Sequence, residues 1–130
     1  MSQNYHPLYK AFFENYHAEK YWDAHEVLEE LWQTQRENDF YHGLIQIAAI
    51  MHQLRRGKVR GARKLAESAK RYLKSYAPVT EGVNVSRILL WLDDCLLRLP
   101  HHVERMELIE LDQLNIHICD LPHIHAQNPE

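Results

Sequence analysis

Between two tryptophans, Trp22 and Trp32, the chain reads Ala24-His25-Glu26-Val27-Leu28-Glu29-Glu30. A helix turns about 100° per residue, so residues three, four and seven apart share a side. That rule stacks Trp22, His25, Glu29 and Trp32 on one stripe beside Ala24, Leu28 and Leu31, while Asp23, Glu26, Glu30 and Gln33 point away. An imidazole and a carboxylate one turn apart can place a nitrogen and an oxygen on one divalent metal. Equally, the carboxylate can orient the imidazole as a general base. The segment is not the metalloprotease signature, because Glu29 stands where His-Glu-x-x-His has its second histidine. The third use is structural: a buried His–Glu contact that fastens two helices.

A second polar stripe belongs to the next helix. His42, Gln46, Ala49 and Gln53 share one side of an otherwise apolar cylinder, with His52 and Arg56 set a little aside. Buried polar groups need partners, and a short connection predicts that the two helices are antiparallel neighbours. The expectation is a buried polar pocket lined by His25, Glu29, Gln46 and His42 or His52, with Trp22 and Trp32 as largely buried walls. It would bind a small ligand or, as cofactor, one divalent metal. If catalytic, His25 is the base and Glu29 its orienter, in hydrolytic or proton-transfer chemistry. Glu14 and His17 repeat the Glu-x-x-His spacing of di-iron bundles, but only as a lone copy near a helix end. The rival reading is a non-catalytic interaction or assembly protein, with a structural His–Glu network and a basic helix that docks an acidic partner or subunit. The residues alone do not say whether the chain is an enzyme.

Five helices must position these groups. They are read at about Pro7–Tyr16, Tyr21–Gln35, Phe40–Arg56, Lys58–Tyr76 and from Asn84 or Ser86 to Pro100, with Pro78–Gly82 as a loop. The third is apolar nearly all round and should be central. The fourth puts Ala62, Leu65, Ala66, Ala69, Tyr72, Leu73 and Tyr76 on one face and its basic residues on the other. In the fifth, Ile88, Leu89, Trp91, Leu92, Cys95, Leu96 and Leu99 face inward. Beyond Pro100 the helical period fades, and Ile116-His117-Ile118 alternates like a strand. The fold class is therefore all-α: a compact antiparallel bundle of about five helices over residues 1–100. Residues 101–130 form an extended tail, packed on the bundle or on a neighbouring subunit.

The net charge of −3 conceals an asymmetry. Residues 55–74 carry nine Lys/Arg against the single acid Glu67, a net of +8; the remainder carries six basic and seventeen acidic groups, a net of −11. Such complementarity, with the apolar Leu108, Ile109, Leu111, Ile116 and Ile118 in the tail, predicts a homo-oligomer, most simply a two-fold dimer. A small anion could sit near Arg56 and Gly57, where Lys58, Arg60 and the backbone to Gly61 begin the fourth helix. Nucleic acid is disfavoured because Tyr72 and Tyr76 lie on the apolar face and cannot stack on bases. No stretch suits a signal peptide or a membrane span. Two cysteines without metal or redox spacing suit a cytoplasmic setting. His101, His102, His117, His123 and His125 read as ordinary surface.

Three spaced motifs resemble a known family. Tyr21-Trp22-Asp23-Ala24-His25-Glu26-Val27-Leu28-Glu29-Glu30-Leu31-Trp32 looks like the hallmark of the helical family catalogued as domain of unknown function 309. Phe40-x-x-Gly43-Leu44-Ile45-Gln46-x-Ala48-Ala49 and His52-x-x-x-Arg56-Gly57-x-x-x-Gly61-Ala62 follow in that family's order. Lys58 departs from the family's usual Asn. The likeness spans about residues 13–73, and the C-terminal part resembles the longer Gram-positive members. The resemblance implies an all-helical cytoplasmic fold with Trp22, His25, Glu26, Glu29, Trp32, Gln46, His52 and Arg56 as signature positions. It implies no activity.

Overall fold

Local chemistry sets where the helices begin. Helix α1 (Pro7–His17) has proline in its first turn, where a missing N–H costs nothing, and the His6 ring accepts from the Leu8 N–H at 3.0 Å. Helix α3 (Asp39–Arg55) starts at Asn38, whose side chain accepts from the Tyr41 N–H at 3.0 Å; α5 (Val85–Arg98) starts at Asn84, which accepts from the Arg87 N–H at 3.0 Å. Between them lie α2 (Tyr21–Trp32) and α4 (Val59–Leu73), the latter running into a single 3-10 turn, Lys74–Tyr76. A short α6 (Leu108–Asp112) follows. This computed structural model describes residues 4–124, so His125 and the polar residues after it lie outside the described part, as do residues 1–3.

Each of the first four helices packs against the next, and α3 is the middle layer, with α2 on one side and α4 on the other. The core is aromatic at the α1 end, where Tyr9, Phe12, Phe13 and Tyr16 meet Phe40 and Tyr41. It is small on α4, where Ala62, Ala66 and Ala69 are fully buried. Gly43 lets α4 come close: a Cβ there would lie 2.5 Å from Leu73 Cγ. The molecule is an all-α bundle, with two additions that the helical period does not reveal.

The first is a hairpin in place of the expected loop. Strand β1 (Val79–Thr80) pairs antiparallel with β2 (Val83–Asn84), and the two residues between them, Glu81 and Gly82, both have positive φ. That is the turn whose twist suits a two-residue hairpin. The second is the path of the C-terminal segment. Residues 116–118 form no strand; the His117 carbonyl instead accepts from the Trp91 indole at 2.7 Å. The Cys119 carbonyl accepts from the Tyr16 hydroxyl at 2.7 Å, and Leu111, Cys119, Leu121 and Ile124 are buried. These residues therefore lie against their own bundle.

Candidate functional site

Two ring contacts fix how α2 meets α3. Trp22 lies 5.1 Å from His52, and Trp32 lies 4.5 Å from His42, centroid to centroid. The start of α2 thus meets the end of α3 and the end of α2 meets its start, so the helices are antiparallel. The same register sets His25 opposite the small Ala49, and Leu28 opposite Gln46. Trp22 and His25 are stacked nearly flat, 4.6 Å apart with 8° between planes. At the other end His42 also packs on Tyr72 of α4 at 4.2 Å, so one imidazole joins three helices.

The polar stripe of α3 is the face of that helix left partly open. His42, Gln46, Ala49, His52 and Gln53 are half-buried, whereas the α3 residues from Phe40 to Leu54 around them are buried. On α4 the half-buried Gly61, Leu65, Ser68 and Tyr72 repeat at the same helical spacing. The stripe therefore runs along a surface seam between α2 and α4. It does not close over a cavity.

This geometry corrects the main expectation. Among the described residues none that is polar or charged is buried, so a buried His/Glu/Gln ligand pocket is not formed. No group of three or more His, Cys, Asp or Glu side chains is placed to hold a metal ion among the described residues. The divalent metal expected at His25 and Glu29 is overturned on that ground: a metal site needs more donors than one imidazole and one carboxylate. His25 Nδ1 approaches Glu29 Oε2 at 3.6 Å, an ion-pair distance too long for a hydrogen bond. The buried atoms His25 Nδ1, Trp32 Nε1, Gln46 Oε1 and Gln53 Oε1 have no hydrogen-bond partner. What unites His25, Trp22 and His52 is ring packing.

The remaining candidates are dispersed. Trp22 is 49% exposed, against the expected burial, because it sits at the open end of the seam. Trp32 is half-buried, with the Arg36 guanidinium 6.0 Å from its ring. Glu26 and Arg56 are exposed, and Glu29 is half-exposed. His17 hydrogen-bonds the Pro122 carbonyl at 3.0 Å, and Glu14 is exposed. Burial lowers the pKa of His52, and the nearby Arg56, His25 and Lys58 lower it further. Burial also lowers that of His42, against the opposing pull of Asp39 and Glu29. Both shifts favour the neutral ring, the form that stacks without a desolvated charge.

The turn between α3 and α4 is occupied by the chain itself. Gly57 has φ +68, its carbonyl accepts from the Met106 N–H at 2.9 Å, and the Glu104 carbonyl accepts from the Arg60 N–H at 3.3 Å. Two cations expected near an anion, Lys58 and Arg60, instead line a cleft of about 380 Å³ with Lys64, Arg105 and Glu104.

Sequence reasoning singled out the basic face of α4 but not the outward face of α5. Arg60, Lys64, Glu67, Arg71 and Lys74 are all exposed, at alternating steps of four and three residues that keep them in one line. On α5, Leu90 is 70% and Leu97 83% exposed. The signal was present: these leucines are absent from the inward wheel positions of α5. No helix of the described residues is long and apolar enough to cross a membrane. No curated protein and no solved structure matches the chain. Residues 9–65, which hold most of α1, all of α2 and α3 and the first half of α4, match the family model described as Domain of unknown function (DUF309).

Proposed function

We propose that this chain is a non-catalytic interaction or assembly protein, whose α2–α3 ring contacts are structural and whose basic helix α4 docks an acidic partner or subunit. One observation carries the reading: Arg60, Lys64 and Arg71 on α4 and Lys74 in the turn after it form an exposed cationic line, and α5, which packs on α4, exposes Leu90 and Leu97. Apolar side chains exposed next to concentrated charge are what a recognition surface needs, the first for affinity and the second for register. The signature positions Trp22, His25, Glu29, Trp32, Gln46 and His52 then serve to seat α2 on α3. Glu26 and Arg56 lie outside the ring stack and have no role in it. The Ala24-to-Trp32 segment is read as the family's hallmark, and the portion after residue 65 as that of a longer member. Residues 4–100 act as the bundle and 101–124 as a tail laid on it. A cytoplasmic setting suits two thiols that are buried and unpaired.

The test is a photo-crosslinking residue placed at Leu90 or at Leu97 in the cells that make the protein. The expected result is a discrete adduct from either position, with none from the exposed control Asp23. No adduct from Leu90 or Leu97 would overturn the reading. A second reading, a small anion in the Lys58–Arg60–Lys64–Arg105 cleft, is favoured by four cations converging with one carboxylate. Inorganic phosphate titrated at low salt should shift the amide of Gly61. Shifts confined to the exposed histidines would dismiss it.

A further inference from the structure

We propose that the groove between α4 and α5 receives residues 107–112 of a second copy of this chain. The inference rests on the docking reading and names its occupant. The groove, of about 550 Å³, is lined by Leu89 and Leu96 and by the cations Lys70, Arg71 and Lys74, which outnumber its two acids, Glu67 and Asp93. Leu90 and Leu97, the residues that follow Leu89 and Leu96 on α5, are exposed. Each leucine pair is separated by seven residues, about 10 Å along a helix. The ligand that fits is a short helical segment with apolar side chains on one face and carboxylates on its flanks.

The chain itself displays such a segment. Glu107-Leu108-Ile109-Glu110-Leu111-Asp112 contains three acids and no base, and Leu108 and Ile109 are 57% and 73% exposed. The five helical residues of α6 span about 7.5 Å, comparable with the leucine spacing along α5. Leu111 is buried and anchors α6 on its own bundle. The Met106 N–H bond to the Gly57 carbonyl holds the segment beside the first turn of α4, whereas Lys70, Arg71 and Lys74 lie at the other end of that helix. A molecule therefore cannot fill its own groove with its own α6. Two apolar patches of opposite charge, each unable to meet the other within one molecule, are satisfied between two copies. Made twice about a two-fold axis the contact closes a dimer, and made once per copy it extends a chain of molecules. Part of the groove's charge is already engaged, since Lys70 pairs with Asp93 at 2.5 Å. With this few residues on each side, the association should be weak and sensitive to salt.

Sedimentation of the full chain tests it. At low salt the wild type should sediment at twice its 15.5 kDa or more, and salt should dissociate it. Arg71→Glu/Lys74→Glu and Glu107→Lys/Glu110→Lys change only exposed side chains, and each double variant alone should remain monomeric. Mixed in equal amounts, the two should associate again, because the reversed groove now meets a reversed segment. A wild type that stays monomeric at low salt overturns the second copy as occupant. A Leu90 adduct of a mass other than the dimer's would then leave the docking reading standing. An oligomer indifferent to both variants, or a mixture that stays monomeric, overturns the pairing of these two surfaces.

Discussion

Replacing Trp22 by alanine separates a ring that packs from a ring that lines a pocket. The indole is half-exposed and lies flat on His25. A tryptophan presents about 250 Å², so roughly 125 Å² is buried, an upper value of about 3 kcal/mol at 25 cal/mol/Å². Allowing for the surface that alanine keeps and for a partly collapsed unfolded chain brings this to about 2 kcal/mol. That is below the 3–5 kcal/mol typical of a core aromatic. Within it the ring pair accounts for about 0.5–1.5 kcal/mol. The pair is isolated by a cycle of Trp22→Ala, His25→Ala and the double variant. In that cycle the loss of His25 packing and the relief of its unpartnered Nδ1 cancel. Because Trp22 also touches His52, the cycle is best run in wild type and repeated with His52→Ala. Urea unfolding at pH 8 supplies the free energies, provided the slopes agree across variants. A Trp22→Ala cost below about 1 kcal/mol, or a coupling within the roughly 0.3–0.5 kcal/mol scatter of independent sites, would refute the stacking account.

Three further outcomes follow from the same geometry. Gly43→Ala should destabilise by about 1–2 kcal/mol, since the overlap with buried Leu73 costs about 1–3 kcal/mol and only part is returned by better helix propensity; calorimetry showing an unchanged or raised melting temperature would contradict it. His42 and His52 have lowered pKa values, so the unfolded chain binds more protons; stability should be full above the ordinary histidine value near 6.5 and fall as pH drops through the folded values. A His52→Gln variant should show a shallower fall between pH 7.5 and 5, and an identical slope would count against the cause assigned. Burial pushes the Cys95 thiol up to about 12 and the Cys119 thiol up as well, so neither should react with a disulfide reagent at pH 8 until the protein is unfolded, when both should.

How much of this was legible beforehand depends on the kind of information each feature carries. Helix starts and faces were readable because they are local: Asn84 caps α5, and Ala62, Ala66 and Ala69 share a side of α4 at the helical period. The hairpin was not, because two-residue strands are too short to show alternation; its one signal was Glu81-Gly82 between two valine-containing pairs. The C-terminal path was hidden for another reason. It is set by single hydrogen bonds from distant side chains, such as Trp91 to His117 and Tyr16 to Cys119, which no period encodes.

The stripe on α3 shows where a helical wheel stops being informative. A wheel tells which residues share a face, here His42, Gln46, Ala49 and Gln53, but not what that face meets. On a central helix the expectation was burial, and burial demanded partners, which led to a pocket and a metal. The bundle avoids that cost more simply. It leaves α3 partly open along the polar stripe, and sets Trp22 on His52 and Trp32 on His42 at the two ends of that seam. Polar residues on a central helix thus mark the direction in which the layer above it is open. The same reasoning applied to α5 runs the other way: Leu90 and Leu97 occupy outward positions, where water gives a leucine nothing in return. An apolar residue held on the open side of a helix points to a contact that the single chain does not contain, and at α4–α5 the cationic line of α4 gives that contact its sign.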